Sequence, residues 1–95
     1  MTTTAGSGSE LGRLIRAWRD RAEPAALGLP VGGRRAAGLR REELAALAGL
    51  SVDYVVRLEQ GRASHPSLQV VGAVARALRL DESESALLHL SLIHI

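Results

Sequence analysis

Residues 40–61 read Arg40-Arg41-Glu42-Glu43-Leu44-Ala45-Ala46-Leu47-Ala48-Gly49-Leu50-Ser51-Val52-Asp53-Tyr54-Val55-Val56-Arg57-Leu58-Glu59-Gln60-Gly61. The first nine of these residues form a short helical run, which Gly49 interrupts. A glycine there can take the positive φ that a tight turn between helices needs. Ser51 is placed to cap a second helix, running from Val52 to about Gln60 and ended by Gly61. Tyr54 or Val55, with Leu58, forms the inward face of that second helix. Val52, Asp53, Val56 and Arg57 point outward. Ala45 is small where the two helices must touch.

Two short helices joined by a three-residue turn are the physical signature of a helix-turn-helix. Its second helix has an outer face free to enter a major groove. The flanks supply three more helices and no strand. Leu11, Leu14, Ile15 and Trp18 recur at helical spacing in Glu10–Arg21, with Ser9, or Ser7 together with Glu10, as the cap and Pro24 as the stop. Pro24 to Gly38 is a long connection. From Pro24 through Arg41 there are four arginines (Arg34, Arg35, Arg40, Arg41) and no acid.

After the break at His65-Pro66, Ser67 caps a helix expected from Leu68 to Arg79, with Leu68, Val71, Ala75 and Leu78 on one stripe. Gly72 costs that helix about 1 kcal/mol relative to Ala. It either permits a close helix contact or is neutral. Asp81-x-x-Glu84 is a capping-box-like start for a last helix, whose inward residues are expected to be Leu87 and Leu90.

Composition agrees with this reading. The chain has 95 residues, enough for one small domain. Hydrophobic residues are 46% and charged residues 23%, so the chain is not wholly disordered. Aromatics are only 2% (Trp18 and Tyr54), which leaves Leu, Ala, Val and Ile to build a helical core. Cysteine is absent, which excludes disulfides, thiol nucleophiles and thiolate metal sites. The absence fits the reducing cytoplasm. The net charge is +2 although the isoelectric point is about 10.4. All twelve bases are Arg, which stays charged at high pH, so the isoelectric point overstates the basicity. The placement of charge matters more than its sum.

No sign of catalysis appears. His65, His89 and His94 are scattered, no paired carboxylates sit at ligand spacing, and no nucleophile adjoins a base. Glu42 and Glu43 splay to different sides of a helix and suit its positive N-terminus. No metal, cofactor or enzyme activity is expected. Residues 1–9 read as a flexible tail without the basic start and apolar run of a secretory signal. No apolar stretch reaches the roughly 18 residues needed to cross a membrane.

The stretch from Leu39 to Gly61 closely resembles the Cro/CI-type (XRE family) helix-turn-helix. Gly-Leu-Pro at 28–30, Arg-Arg at 34–35 and Gly-Leu-Arg-Arg-Glu-Glu at 38–43 resemble its MmyB-like subgroup. The resemblance spans about Leu11 to Leu90. It implies an all-α, five-helix DNA-binding domain over residues 10–90, with motif core 39–61, belonging to a cytoplasmic, nucleoid-associated transcription regulator. Ser51, Val52, Asp53 and Arg57 match positions that face base edges or adjacent phosphates. An Arg can pair bidentately with guanine, an Asp accepts from a cytosine amino group, and a Val meets a thymine methyl. Arg41 matches a phosphate contact. Arg34, Arg35, Arg40, Arg62 and the Tyr54 hydroxyl would also hold phosphates. Arg19 and Glu59 match a pair tying the first helix to the end of the recognition helix. Ala45, Gly49, Val55, Leu58 and Gly61 are structural.

The implied partners are double-stranded DNA and a second copy of the chain, on half-sites about 34 Å apart. An effector would act only through a PAS-like C-terminal domain that this sequence does not contain. The rival reading is an antitoxin-like protein-interaction module on the same fold. The last residues, Leu90-Ser91-Leu92-Ile93-His94-Ile95, equal the translation of CTG TCT CTT ATA CAC ATC, the transposase end of tagmentation libraries. Residues 91–95 are therefore read as an adapter-derived tail, with the gene expected to continue.

Overall fold

A computed structural model describes residues 10–30, 32, 38–63 and 65–92. Among them lie five α-helices and no strand: α1 (Glu10–Arg21), α2 (Arg41–Ala48), α3 (Val52–Glu59), α4 (Leu68–Ala77) and α5 (Glu82–Ser91). A single 3-10 turn, Pro24–Leu27, opens the connection after α1.

Local chemistry sets most helix ends. Gly49 has φ 73° and its N–H closes α2 onto the carbonyls of Ala45 and Ala46. The Ser51 hydroxyl accepts from the Tyr54 N–H at 3.0 Å, and the Ser67 hydroxyl accepts from the Val70 N–H at 3.1 Å. Asp81 and Glu84 form a reciprocal capping box, each side chain accepting the other's backbone N–H. At the end of α3, Gly61 has φ 74°, and the Arg62 N–H reaches back to the Arg57 carbonyl at 2.8 Å. These are the positions where short polar side chains and glycines were expected to act.

The core is aliphatic. Leu11, Ile15, Leu44, Leu58, Leu88, Val55, Val71 and Val74 are fully buried, with Trp18 nearly so. α1 packs on α3 and α5, while α2 packs on α3 and α4.

Two expectations about apolar faces are corrected. On α5 the buried residues are Leu88 and Ser91, whereas Leu87 and Leu90 are 48% and 53% exposed. Each step along a helix turns the side chain by about 100°. The packing of α5 against α1 and α4 selects the row of positions 84, 88 and 91, and a leucine's identity alone does not fix that phase. On α4, Leu68 is 69% exposed and Val74 takes its place in the core beside Val71, Ala75 and Leu78. Only Leu68 and Gln69 at the start of α4 are exposed, and packing against the core begins at Val70. At the chain end, α5 runs through Ser91, whose hydroxyl donates to the Leu88 carbonyl, and Leu92 is packed partly against the core.

Gly72 does not serve a close helix approach. A Cβ there would meet only the Arg76 Nη1 of its own helix, at 3.3 Å, and that flexible group can shift. Gly72→Ala is therefore expected to stabilise the domain by up to about 1 kcal/mol through helix propensity. A urea midpoint that moves up with an unchanged slope checks this.

Candidate nucleic-acid interface

α3 presents two different surfaces. Val55 and Leu58 are wholly buried and fix the helix against α1 and α2. Ser51, Val52, Asp53 and Arg57 all lie exposed on the opposite side. Their side chains are not independent. Arg57 Nη1 lies 3.7 Å from Asp53 Oδ2, and the Arg57 guanidinium carbon sits 5.6 Å from the centroid of the Tyr54 ring. An exposed ion pair of this kind is worth only about 0.3–0.5 kcal/mol, so Arg57 is free to leave it for a stronger partner. Tyr54 is half-buried, its ring packed partly against the core.

The orientation of α3 depends on a buried carboxylate. The Glu59 side chain is 1% exposed. Arg19 Nε donates to Glu59 Oε2 at 2.7 Å, and Arg19 Nη2 donates to Oε1 at 3.1 Å, a bidentate pair from α1. Arg19 Nη1 donates to the Leu39 carbonyl at 2.9 Å, and the Leu39 N–H donates to the Arg19 carbonyl at 2.9 Å. Arg41 Nε adds a third donor to Glu59, reaching Oε1 at 3.0 Å from the first turn of α2. One carboxylate thus joins α1, α2 and α3. The structure brings Arg19 and Glu59 together as a pair and adds Arg41, which sequence reading had assigned to phosphate alone. About a third of the Arg41 side chain remains exposed.

Two glycines let these parts approach. A Cβ on Gly12 of α1 would stand 2.4 Å from the Glu59 carbonyl oxygen and 2.7 Å from that of Leu58. Gly38 has φ 90°, and a Cβ there would stand 2.4 Å from the Asp20 carbonyl oxygen. Gly38 turns the chain onto the end of α1, where Leu39 is anchored and Arg40 and Arg41 are delivered to the start of α2. Gly12 is not singled out by the sequence, and Gly38 is marked there only as the end of the long connection and the start of the 38–43 motif. A glycine inside the strongly amphipathic pattern of α1 was the available signal.

The other arginines are placed as follows. Arg40 is exposed, and its backbone N–H donates to Glu43 Oε1 at 2.8 Å. Exposed Arg62 directs its Nε to Gln60 Oε1 at 2.8 Å. Arg34 and Arg35 lie outside the described residues, as do the N-terminal tail with Ser7 and Ser9, and His94. Among the described residues no three His, Cys, Asp or Glu side chains are grouped to hold a metal ion. No helix among them is long and apolar enough to cross a membrane.

Five helices around an aliphatic core, with α2 and α3 joined through Gly49 and the outer face of α3 bare, define an all-α helix-turn-helix DNA-binding domain of the Cro/CI type. The family model described as "Helix-turn-helix domain" matches residues 10–88, and the chain belongs to that family. Its fold is similar to that of the restriction-modification controller protein C.AhdI from Aeromonas hydrophila, at 29% identity and a TM-score of 0.55 over 79% of this chain and 89% of that one. It is also similar in fold to the clp gene regulator ClgR from C. glutamicum, at 24% identity and a TM-score of 0.56 over 88% of this chain and 84% of that one. No curated protein matches the chain. Family and fold together make this the DNA-binding domain of a transcription regulator.

Proposed function

We propose that the domain binds double-stranded DNA sequence-specifically, with α3 in the major groove. Ser51, Val52, Asp53 and Arg57 then face base edges. Arg34, Arg35, Arg40, Arg41, Arg62 and the Tyr54 hydroxyl hold phosphates on either side. The observation that carries the reading is the outer face of α3. Its start is exposed, with Val52 at 44%, while the same helix is pinned from behind by Val55, Leu58 and Glu59. A rigid helix with a bare polar and small-apolar face is what direct readout requires. Phosphate contacts by arginine give affinity and salt dependence, and base contacts give sequence preference.

Gly-Leu-Pro at 28–30 and the arginine-rich run before α2 support placement in the MmyB-like subgroup. On that reading the regulator works at the nucleoid as a homodimer, and an effector acts through a further domain.

The test is a mobility shift with a DNA pool enriched for binding, at two salt concentrations. Arg57→Ala is expected to cost about 1–3 kcal/mol on the selected site and to relax preference at one base pair. Arg62→Ala is expected to weaken selected and random DNA alike and to lower the salt slope by about one. Equal losses on both DNAs for Arg57→Ala would remove its base-reading role. Salt-insensitive or absent binding would remove the reading altogether.

A further inference from the structure

Two arginines share the buried Glu59 carboxylate, and they are used differently. Arg19 engages all three guanidinium nitrogens inside the domain, Nε and Nη2 on Glu59 and Nη1 on the Leu39 carbonyl. Its side chain is 11% exposed. Arg41 engages Nε alone, on Glu59 Oε1 at 3.0 Å, and its side chain is 35% exposed. Among the described residues neither Arg41 Nη group has a hydrogen bond or a second ion pair. A guanidinium is planar and rigid, and its donors lie along fixed edges. With Nε turned inward onto Oε1, the edge formed by Nη1 and Nη2 is left for an acceptor outside the domain.

Two guanidinium groups on one carboxylate also leave one positive charge unbalanced. The further acid in contact, Asp20, stands 3.8 Å from Arg19 Nη1 and is 60% exposed, so it offsets Arg19 rather than Arg41. Arg41 is the first residue of α2 and follows exposed Arg40. The positive helix end and the two arginines together favour an anion there. α2 packs directly on α3, so an anion held by Arg41 has a fixed place relative to the outer face of α3. An anion at a fixed distance from a helix that reads bases is a backbone phosphate of the same duplex.

We propose that Glu59 is a positioning residue for DNA-backbone binding: it holds Arg41 by Nε so that Nη1 and Nη2 close as a fork on one phosphate. Arg41 then bridges two anions from its two edges, the buried carboxylate behind and the phosphate in front. The proposal rests on the reading of Arg41 as a phosphate contact and assigns what aims it. An ammonium has all its donors on one nitrogen and cannot face two anions from separate edges, so lysine would keep the charge and lose the bridge. The same carboxylate fixes α1 against α3 through Arg19, so one group sets both the phosphate grip and the seating of α3.

Fluorescence anisotropy of the intact chain with a labelled duplex of random sequence, over a salt series, tests the clamp. Circular dichroism reports the folded fraction of each variant. Arg41→Ala is expected to weaken binding by about tenfold and to lower the salt slope by about one. Arg41→Lys is expected to lose nearly as much affinity as Arg41→Ala, although it keeps the charge. Glu59→Gln, which keeps the side chain's shape, is expected to weaken binding per folded molecule and to lower the slope in the unaltered background. In the Arg41→Ala background it should change neither. A Glu59→Gln loss that is the same in both backgrounds overturns the proposal, because Glu59 then acts through the fold and not through Arg41. Arg41→Lys binding within about twofold of the unaltered chain also overturns it, because a point charge then suffices. That comparison decides whatever fraction of Glu59→Gln is folded. Arg62→Ala, an independent phosphate contact, separates the two levels. If Arg62→Ala lowers the salt slope and Arg41→Ala does not, only the clamp fails. If the unaltered chain shows no salt-sensitive binding, the DNA-binding reading fails with it.

Discussion

Glu59→Ala is expected to destabilise the domain by about 3–5 kcal/mol, the range for breaking a buried ion pair from one side. The carboxylate is 1% exposed and accepts from Arg19 Nε, Arg19 Nη2 and Arg41 Nε. Its removal leaves the Arg19 guanidinium, on a side chain only 11% exposed, with the Leu39 carbonyl as its remaining hydrogen-bond acceptor and the largely exposed Asp20 carboxylate 3.8 Å away as a weak counter-charge. Small domains have about 5–15 kcal/mol in total, so the loss is a large share of what holds the fold. The thermal midpoint should fall by on the order of 15 °C or more. A contrast inside the same molecule makes the claim specific. Arg13 and Glu10 also form an ion pair, but their side chains are 58% and 48% exposed. Breaking that pair by Arg13→Ala should cost well under about 1 kcal/mol and be insensitive to what happens at Glu59. Replacing both Arg19 and Glu59 by apolar residues should cost less than Glu59→Ala alone, because no orphaned charge remains. If Glu59→Ala costs under about 1 kcal/mol, both arginines reach water easily and the carboxylate does not organise the three helices.

The parts of this fold that were legible in the sequence are those decided within a few residues. Ser51, Ser67 and Asp81 with Glu84 cap helices because a short oxygen-bearing side chain meets the free N–H groups of the turn that follows. Gly49 and Gly61 end helices because the αL conformation asks little of a glycine. Arg19 and Glu59 could be paired from the resemblance to a known motif, although forty positions separate them. What could not be read depended on the phase and distance of whole helices. Leu87, Leu88 and Leu90 are chemically alike for burial, and only the packing of α5 on α1 and α4 selects Leu88. Arg41 lies at the start of α2, a natural place for a phosphate contact. Its engagement with Glu59 follows from how closely α2 and α3 are folded together. The outer face of α3 was legible as a surface, because Val55 and Leu58 fix its back. The contact of Arg57 with Asp53 and Tyr54 on that surface is a matter of rotamers, which helical spacing permits without requiring.

Gly12→Ala is the other substitution expected to have a large effect, and its sign is the reverse of what helix propensity predicts. In an isolated helix the change would gain about 1 kcal/mol. Here the added methyl would stand 2.4 Å from the Glu59 carbonyl oxygen, 2.7 Å from that of Leu58 and 2.8 Å from the Glu59 carbonyl carbon. All three are backbone atoms at the end of α3, so no side chain can rotate out of the way. α1 must instead withdraw from α3 by most of an ångström. That movement opens the layer between Leu11, Ile15 and Leu58, and it stretches the Arg19–Glu59 pair, whose shortest contact is 2.7 Å. Overpacking of this kind costs about 1–3 kcal/mol and sometimes more, and the loss of the short ion pair places Gly12→Ala at or above about 3 kcal/mol. Gly72→Ala is the matched control, because it adds the same methyl to a helix against one movable side chain. Chemical denaturation should therefore move the two midpoints in opposite directions. Equal midpoint shifts would mean that α1 and α3 are not in backbone contact at Gly12. A lowered midpoint for Gly12→Ala, together with weaker but still salt-sensitive DNA binding, would show that this contact sets the angle at which α3 is presented.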